Sequence, residues 1–485
     1  MALFSRKTVR NLSTLPLFFI VLFIFGITLL VIVKLDNLAS QTKTIIGHNL
    51  EPPPWHSFPA KAFTNETKIG RASQIVRCSY LSCFTKSNNP QPTVTLQPEK
   101  CPDFYRWIHH DLEPWSKTRI SYASLMEAKK LSSFRVVIIN GKLYADYYYD
   151  CVHSRAMFTI WGLLQLLKRY PGSIPDVDMM FDCMDRPYVQ RTDHSAIPLP
   201  IFRYCTTSEH FDIPFPDWSF WGWVEVNLGP WEEEFESIKK GSQVINWENK
   251  YPYAYWKGNP YVNSPAREKL LTCNDTNKWK AQILRQNWGH EISNGFKHSK
   301  LSSQCDHRYK IYAEGYAWSV SLKYILACGC VPLIINPQYE DFLSRGLFPK
   351  QNYLPISPNN ICPAIKNAVE WGNSHPSQAK AIGKAAGDFM KEMNMERVYD
   401  YMYHLINEYS KLLDFKPAKP ASALEECVDS LLCYADESHR EVLERSTAFP
   451  SSTPPCKLPP PNGEMIKKQI EAKRNIIFNK TQVIN

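Results

Sequence analysis

Beyond residue 100, apolar residues along this chain fall into two series of strand-like and helix-like runs, preceded over 34–100 by a polar, proline-containing stretch. Val136-Val-Ile-Ile139 is an unbroken apolar run of strand length, and residues 154–170 set Met157, Ile160, Trp161, Leu164 and Leu167 at helical spacing. Residues 177–181 and 199–204 read as further strands. Strand, helix and strand in this order predict a parallel, Rossmann-like unit. After residue 250 the alternation restarts, with strands over 253–256 and 331–335 and helices over 264–271 and 316–327. Long helical patterns follow over 359–371, 377–392 and 397–413. Two α/β units, 101–250 and 251–415, are therefore expected to face a cleft, where ligands commonly bind. Residues 416–485 read as a C-terminal extension, Pro-rich and then helical, with a partly disordered basic end. No internal repeat is evident.

The most apolar run lies outside both units. Residues 15–33 carry no charge over nineteen positions, close to the ~20 that span a bilayer as a helix. Arg6, Lys7 and Arg10 precede it without an acid, which places residues 1–14 in the cytosol and everything after the span in the lumen. This predicts a single-pass type II signal anchor with a stem over 34–100. The alternative is a cleaved secretory leader ending near Leu38-Ala39-Ser40, although its apolar core would ordinarily run only ~7 to 15 residues.

An oxidising lumen suits the fourteen cysteines, which favour several disulfides. Cys78, Cys83 and Cys101 cluster before the folded region and Cys427, Cys433 and Cys456 after it, with no connectivity implied by spacing. A zinc reading of Cys78-x4-Cys83 lacks a second ligand pair. Asn65, Asn274 and Asn479 head lumenal N-glycosylation sequons, whereas Asn11 would face the cytosol. The C-terminus has no ER-retrieval tetrapeptide, which favours a Golgi membrane over the ER.

Composition and charge narrow the function. At 44% apolar and 13% aromatic residues the chain is too hydrophobic to be mainly disordered. Of the net +9, residues 1–40 and 464–485 hold +3 each, so the large middle is nearly balanced. That excludes a broad nucleic-acid surface and leaves room for a local anion pocket.

The segment from Trp256 to Arg267 runs from a strand, through a turn, into a helix that Ser264 caps and Pro265 begins. Arg267 then opposes the helix dipole, a cost that an anionic ligand such as a diphosphate reverses; the alternative is a surface Arg paired with Glu268. A second junction, Glu314-Gly315 followed by Tyr316, Ala317, Trp318, Ser319, Val320 and Ser321, offers a close backbone approach and two hydroxyls to a phosphate or ribose. For a general base, Asp185 lies past the carboxyl end of strand 177–181, where α/β crevices lie, or else serves only as a turn Asp before Pro187. Asp176-Val-Asp178 has metal-binding spacing but precedes the strand, which argues against it. Trp218, Phe220, Trp221 and Trp223 suit either a sugar face or a core.

Six collinear segments, Met180-Phe-Asp-Cys-Met-Asp-Arg-Pro187, Thr207-Ser-Glu-His210, Phe215-Pro-Asp-Trp-Ser-Phe-Trp221, Trp256-Lys-Gly258, Ser264-Pro-Ala-Arg267 and Gly315-Tyr-Ala-Trp-Ser319, resemble the Rumi-type protein O-glucosyltransferases and their capsule-associated relatives. The resemblance covers residues 101–410 and implies a glycosyltransferase B fold, with two Rossmann-like domains facing a cleft and a UDP-sugar held mainly by the second. It also implies inversion at the anomeric carbon, with no essential metal and no cofactor beyond the donor. On this resemblance Asp185 matches the catalytic base and Arg267 the diphosphate-binding Arg. Asn259 stands where the family has a donor-binding Ser, and residues 316–321 match the donor-binding helix start.

Two departures stand out. Ser321 replaces a family Arg, for which Lys323 or Lys257 are the candidate substitutes. Gly222-Trp-Val-Glu-Val-Asn227 departs from the stretch that grips a folded acceptor. The expectation is an enzyme that transfers glucose or xylose from UDP-glucose or UDP-xylose to a glycoprotein Ser or a polysaccharide hydroxyl. The competing reading, supported by Ser321 alone, is a catalytically silent sugar-binding or scaffold protein on the same fold.

Overall fold

The computed structural model describes residues 76–80, 82–83, 98–193 and 198–478. The predicted membrane span, most of the stem, and Asn65 and Asn479 lie outside the described residues. Among the described residues no helix is long and apolar enough to cross a membrane.

Strands β1 (Phe134–Ile139), β2 (Lys142–Tyr147), β3 (Val177–Phe181), β4 (Ile201–Arg203) and β5 (Ile213–Pro214) form the first sheet, completed by β11 (Leu424–Glu426) in the order β11-β2-β1-β3-β4-β5. The parallel arrangement expected here holds only for β3, β4 and β5. β1 runs antiparallel to both β2 and β3, so the sheet is mixed. The cause is local. Asn140 and Gly141, at φ 51° and 74°, form a two-residue turn with both positions left-handed, the geometry that closes a β-hairpin. The fully buried β3 packs against the helices Tyr122–Ala128 and Met395–Ser410, and the helix Arg155–Arg169 buries Phe158, Ile160, Trp161 and Leu164.

The second sheet is wholly parallel: β6 (Tyr251–Gly258), β7 (Ala281–Arg285), β8 (His307–Tyr312), β9 (Val331–Ile335) and β10 (Leu354–Ile356), in the order β10-β9-β8-β6-β7. Chain connections leave β6 toward β7 on one side and return to β8 on the other. The order therefore reverses between β6 and β8, and in doubly wound sheets ligands bind outside the carboxyl ends of the strands at that point.

Beyond Lys416 the chain returns to the first sheet. β11 pairs with β2, and the helices Val428–Tyr434, Glu437–Arg445 and Gly463–Phe478 follow. The two cysteine clusters pair across the chain as Cys78–Cys433, Cys83–Cys427 and Cys101–Cys456. Cys151–Cys183, Cys273–Cys362 and Cys305–Cys328 are also bonded, and Cys205 and Cys330 are free and buried.

Candidate active site

The Ser264-Pro265 pair behaves as its chemistry dictates. Ser264 caps the helix Pro265–Leu271 by accepting from the Arg267 N–H, and its own hydroxyl donates to Glu314 O at 2.7 Å. Arg267 is thereby aimed back across the carboxyl ends of β6 and β8. Its Nη1 donates to Asn259 O at 2.7 Å, just past β6; Nη2 donates to Ala313 O at 3.2 Å, just past β8, and to Ser319 Oγ at 3.2 Å. The guanidinium is buried and is in no ion pair with a described acid, so the pairing with Glu268 weighed above does not form. Burial pushes its pKa down to about 10, against the opposing pull of Tyr312, Asp185 and Glu314. A buried cation without a counter-ion, at the point where strand order reverses, is a prepared anion site.

The second junction meets the first at the Arg267–Ser319 hydrogen bond, with one difference from expectation. The helix begins at Ser321 and runs only to Ala327, and residues 316–320 lead into it as a bend and a turn. Side chains hold them there: the Tyr312 hydroxyl oxygen accepts from the Ser319 N–H at 3.0 Å, and the Ser319 and Ser321 hydroxyls meet at 2.9 Å. Ala317 and Trp318 are buried and Val320 is half-buried. Both helices at the site are seven residues long, so anion affinity rests on Arg267 rather than on helix dipoles. Asn259 turns its side chain onto the Tyr261 N–H at 2.9 Å and offers Arg267 only its carbonyl.

Neither lysine replaces the missing arginine of Ser321. Lys323 is buried against Asp217 (3.4 Å) and donates to Ser219 Oγ. Lys257 donates to His298 O and lies 4.0 Å from Glu291.

Asp185 sits past the carboxyl end of β3, in a loop that Cys151–Cys183 ties to the segment before the helix Arg155–Arg169. Arg155, the first residue of that helix, donates from Nη1 to Asp185 Oδ1 at 2.7 Å and to Cys183 O at 2.8 Å, while its guanidinium lies 4.3 Å from the Trp218 ring centre. The carboxylate keeps some exposure, at 14%. The neighbouring Arg186 reaches across to the second unit, stacking on the Tyr316 ring at 4.0 Å and donating to Tyr316 O at 3.1 Å. Asp185 and the loop 316–320 are thus brought together. Of the aromatic run, Trp218, Phe220 and Trp221 are core and Trp223 is half-buried. Asp178 forms a buried pair with Arg135, and Asp176 accepts from the Asn140 N–H, which removes both from any metal site at the cleft.

Sequence reasoning passed over Arg155 and treated Glu314 only as part of a motif. Glu314 accepts from the Gln338 and Tyr339 N–H groups, and burial raises its pKa to about 7 despite those bonds and nearby Arg267. The available cue for Arg155 was a cation opening a strongly apolar helix.

Residues 96–485 match the sequence profile of glycosyl transferase family 90. Protein O-glucosyltransferase 1 of Mus musculus and of Homo sapiens are each 24% identical over 340 residues, covering 65% of this chain and 82% of theirs. O-glucosyltransferase rumi of Drosophila melanogaster is 22% identical over 378 residues, covering 74% of this chain and 86% of its own. Because the family match takes in both sheets, both sides of the cleft and the returning C-terminal extension, the chain belongs to glycosyl transferase family 90 and is a glycosyltransferase.

Proposed function

We propose that this enzyme is an inverting, UDP-sugar-dependent O-glycosyltransferase of the glycosyltransferase B fold, acting in the secretory pathway as a type II protein of the Golgi membrane. The observation that carries the reading is Arg267, a buried guanidinium with no acidic partner at the switch point of the second sheet, facing the loop that bears Asp185. Arg155 occupies Asp185 Oδ1, which leaves Oδ2 to take the proton of an acceptor hydroxyl. As that proton moves, the acceptor oxygen bonds to the anomeric carbon from the face opposite the nucleotide. The bond from that carbon to the phosphate oxygen breaks, and UDP leaves with its growing charge neutralised by Arg267. The donors are UDP-glucose or UDP-xylose and the acceptor is a protein Ser or a polysaccharide hydroxyl; the names of the relatives support glucose and protein. The engagement of Asp176 and Asp178 elsewhere supports a reaction without an essential metal.

The test is UDP release from a panel of UDP-sugars and acceptors, with and without EDTA. Asp185→Asn is expected to lower kcat by about 10² to 10⁴ while UDP still binds. Full activity in that variant overturns the base, loss of activity with EDTA overturns the metal-free reading, and turnover confined to a donor other than a UDP-sugar overturns the donor class.

A further inference from the structure

The segment Gly222-Trp-Val-Glu-Val-Asn227, where the chain departs from the pattern of its family, carries a carboxylate that the reaction above does not use. Glu225 Oε1 accepts from the Ser154 N–H at 2.7 Å, and Oε2 from the Ser154 hydroxyl at 3.0 Å. Ser154 is the N-cap of the helix Arg155–Arg169 and makes no side-chain cap bond of its own, so Glu225 holds the helix start from outside. The next residue is Arg155, which holds Asp185.

Glu225 is itself tied to the C-terminal extension. His439, on the helix Glu437–Arg445, places Nε2 3.6 Å from Glu225 Oε1 and Nδ1 2.7 Å from Asp436 Oδ1. The two segments are in close contact: Gly222 has φ +143°, and a Cβ there would fall 2.3 Å from Val442 Cγ1. On the same segment Trp223 donates to His153 Nδ1 at 3.2 Å and packs edge-on against Trp218, the ring beside the Arg155 guanidinium.

We propose that Glu225 and His439 are positioning residues for Asp185, forming an ion pair that anchors the start of the Arg155 helix and so fixes how Arg155 presents the carboxylate. This rests on the reading of Asp185 as the base. The charged groups that face His439 are Glu225 from the site wall and Asp436 from the turn before its own helix. His153 faces Glu225 from the far side, and the Phe158 ring covers the imidazole. Burial alone would push the His439 pKa down, but its bonds to Glu225 and Asp436 outweigh that and raise it. Burial likewise pushes Glu225 up, and His439 and His153 more than reverse it. The pair is therefore intact on the acid side and is lost as pH rises through the raised His439 pKa. An acidic lumen favours the positioned base.

The experiment measures kcat from pH 5.5 to 8.5, and UDP affinity by titration, on the full detergent-solubilised chain with His439→Gln, Glu225→Gln and Asp185→Asn. Both dyad variants are expected to lower kcat about five- to tenfold at acid pH, to keep wild-type UDP affinity, and to lose the alkaline decline of the wild type. A wild-type pH profile in either variant, a decrease that is equal at every pH, or a parallel loss of UDP affinity and melting temperature overturns the proposal. Full activity of Asp185→Asn instead overturns the base itself. An inactive Asp185→Asn beside dyad variants with unaltered pH profiles overturns the dyad alone.

Discussion

Replacing Arg267 by Gln separates a ligand-binding role from a structural one, because the two predict opposite effects. The guanidinium is buried, hydrogen-bonded to Asn259 O, Ala313 O and Ser319 Oγ, and its pKa is lowered to about 10. At about 1.4 kcal/mol per pKa unit, that shift corresponds to a burial cost of roughly 3 kcal/mol in the unliganded protein. A diphosphate oxygen near the guanidinium recovers it: unit charges ~4 Å apart at an effective dielectric of ~20 attract by about 4 kcal/mol, and a hydrogen bond to a charged group nets about 1.5 to 3 kcal/mol. A loss of about 2 to 4 kcal/mol raises the Kd for UDP by roughly 30- to 1000-fold. Uridine, which lacks the phosphates, should bind both proteins alike. By thermal shift, UDP at a hundredfold excess over the wild-type Kd stabilises the wild type by about 2.7 kcal/mol and the variant by about 0.9 kcal/mol or less. The unliganded variant should melt no lower than the wild type, since an unpaired buried charge has gone. Calorimetric titration with UDP and uridine checks the affinities. A variant that binds UDP within about threefold of the wild type, or that loses unliganded stability while keeping UDP affinity, refutes the reasoning.

Glu314, with its pKa pushed to about 7 by burial, lies close enough to Arg267 for the two to interact. A bound diphosphate favours the neutral acid, so the Kd for UDP should rise about fivefold as pH increases through 7, and Glu314→Gln should flatten that dependence in titrations from pH 6 to 8. Asp217→Asn strands the Lys323 ammonium, which is 1% exposed, and should cost about 3 to 5 kcal/mol in denaturant unfolding. Replacing both members of the pair by apolar residues should recover most of that loss.

What could be read from the sequence was local. β3 and β9 coincide with their predicted spans of 177–181 and 331–335, because each is an apolar run bounded by turn residues. Ser264 and Pro265 occupy the capping positions assigned to them, since a cap depends on neighbours three residues away. The mixed character of the first sheet was also written locally, in Asn140-Gly141, but a motif that weighs only strand-helix-strand order passes over a hairpin turn. What no local pattern carries is the closure of the chain on itself. β11 is three residues long and acquires its meaning only beside β2, and the disulfides Cys78–Cys433, Cys83–Cys427 and Cys101–Cys456 span 344 to 355 residues. The same limit applies at the site. Arg155 and Asp185 are thirty positions apart, and Lys323 finds Asp217 more than a hundred residues away, so its charge is already compensated where the sequence suggested it was free.

The division of labour at the cleft follows from how the two sheets are joined. Arg267, Ser319 and Glu314 all hang on the carboxyl ends of β6 and β8, so that side of the cleft is built within one sheet. Asp185 depends instead on Arg155, on Cys151–Cys183 and on a wall formed by residues 222–227, which the returning extension supports through His439 and Val442. The two sides are registered by other groups: Thr206 and Glu340 exchange two backbone hydrogen bonds of 2.9 Å, and Arg345 pairs with Asp111. Changes in the wall can therefore alter what approaches Asp185 without disturbing Arg267. In this enzyme such changes would be found in residues 222–227 and the helix Glu437–Arg445.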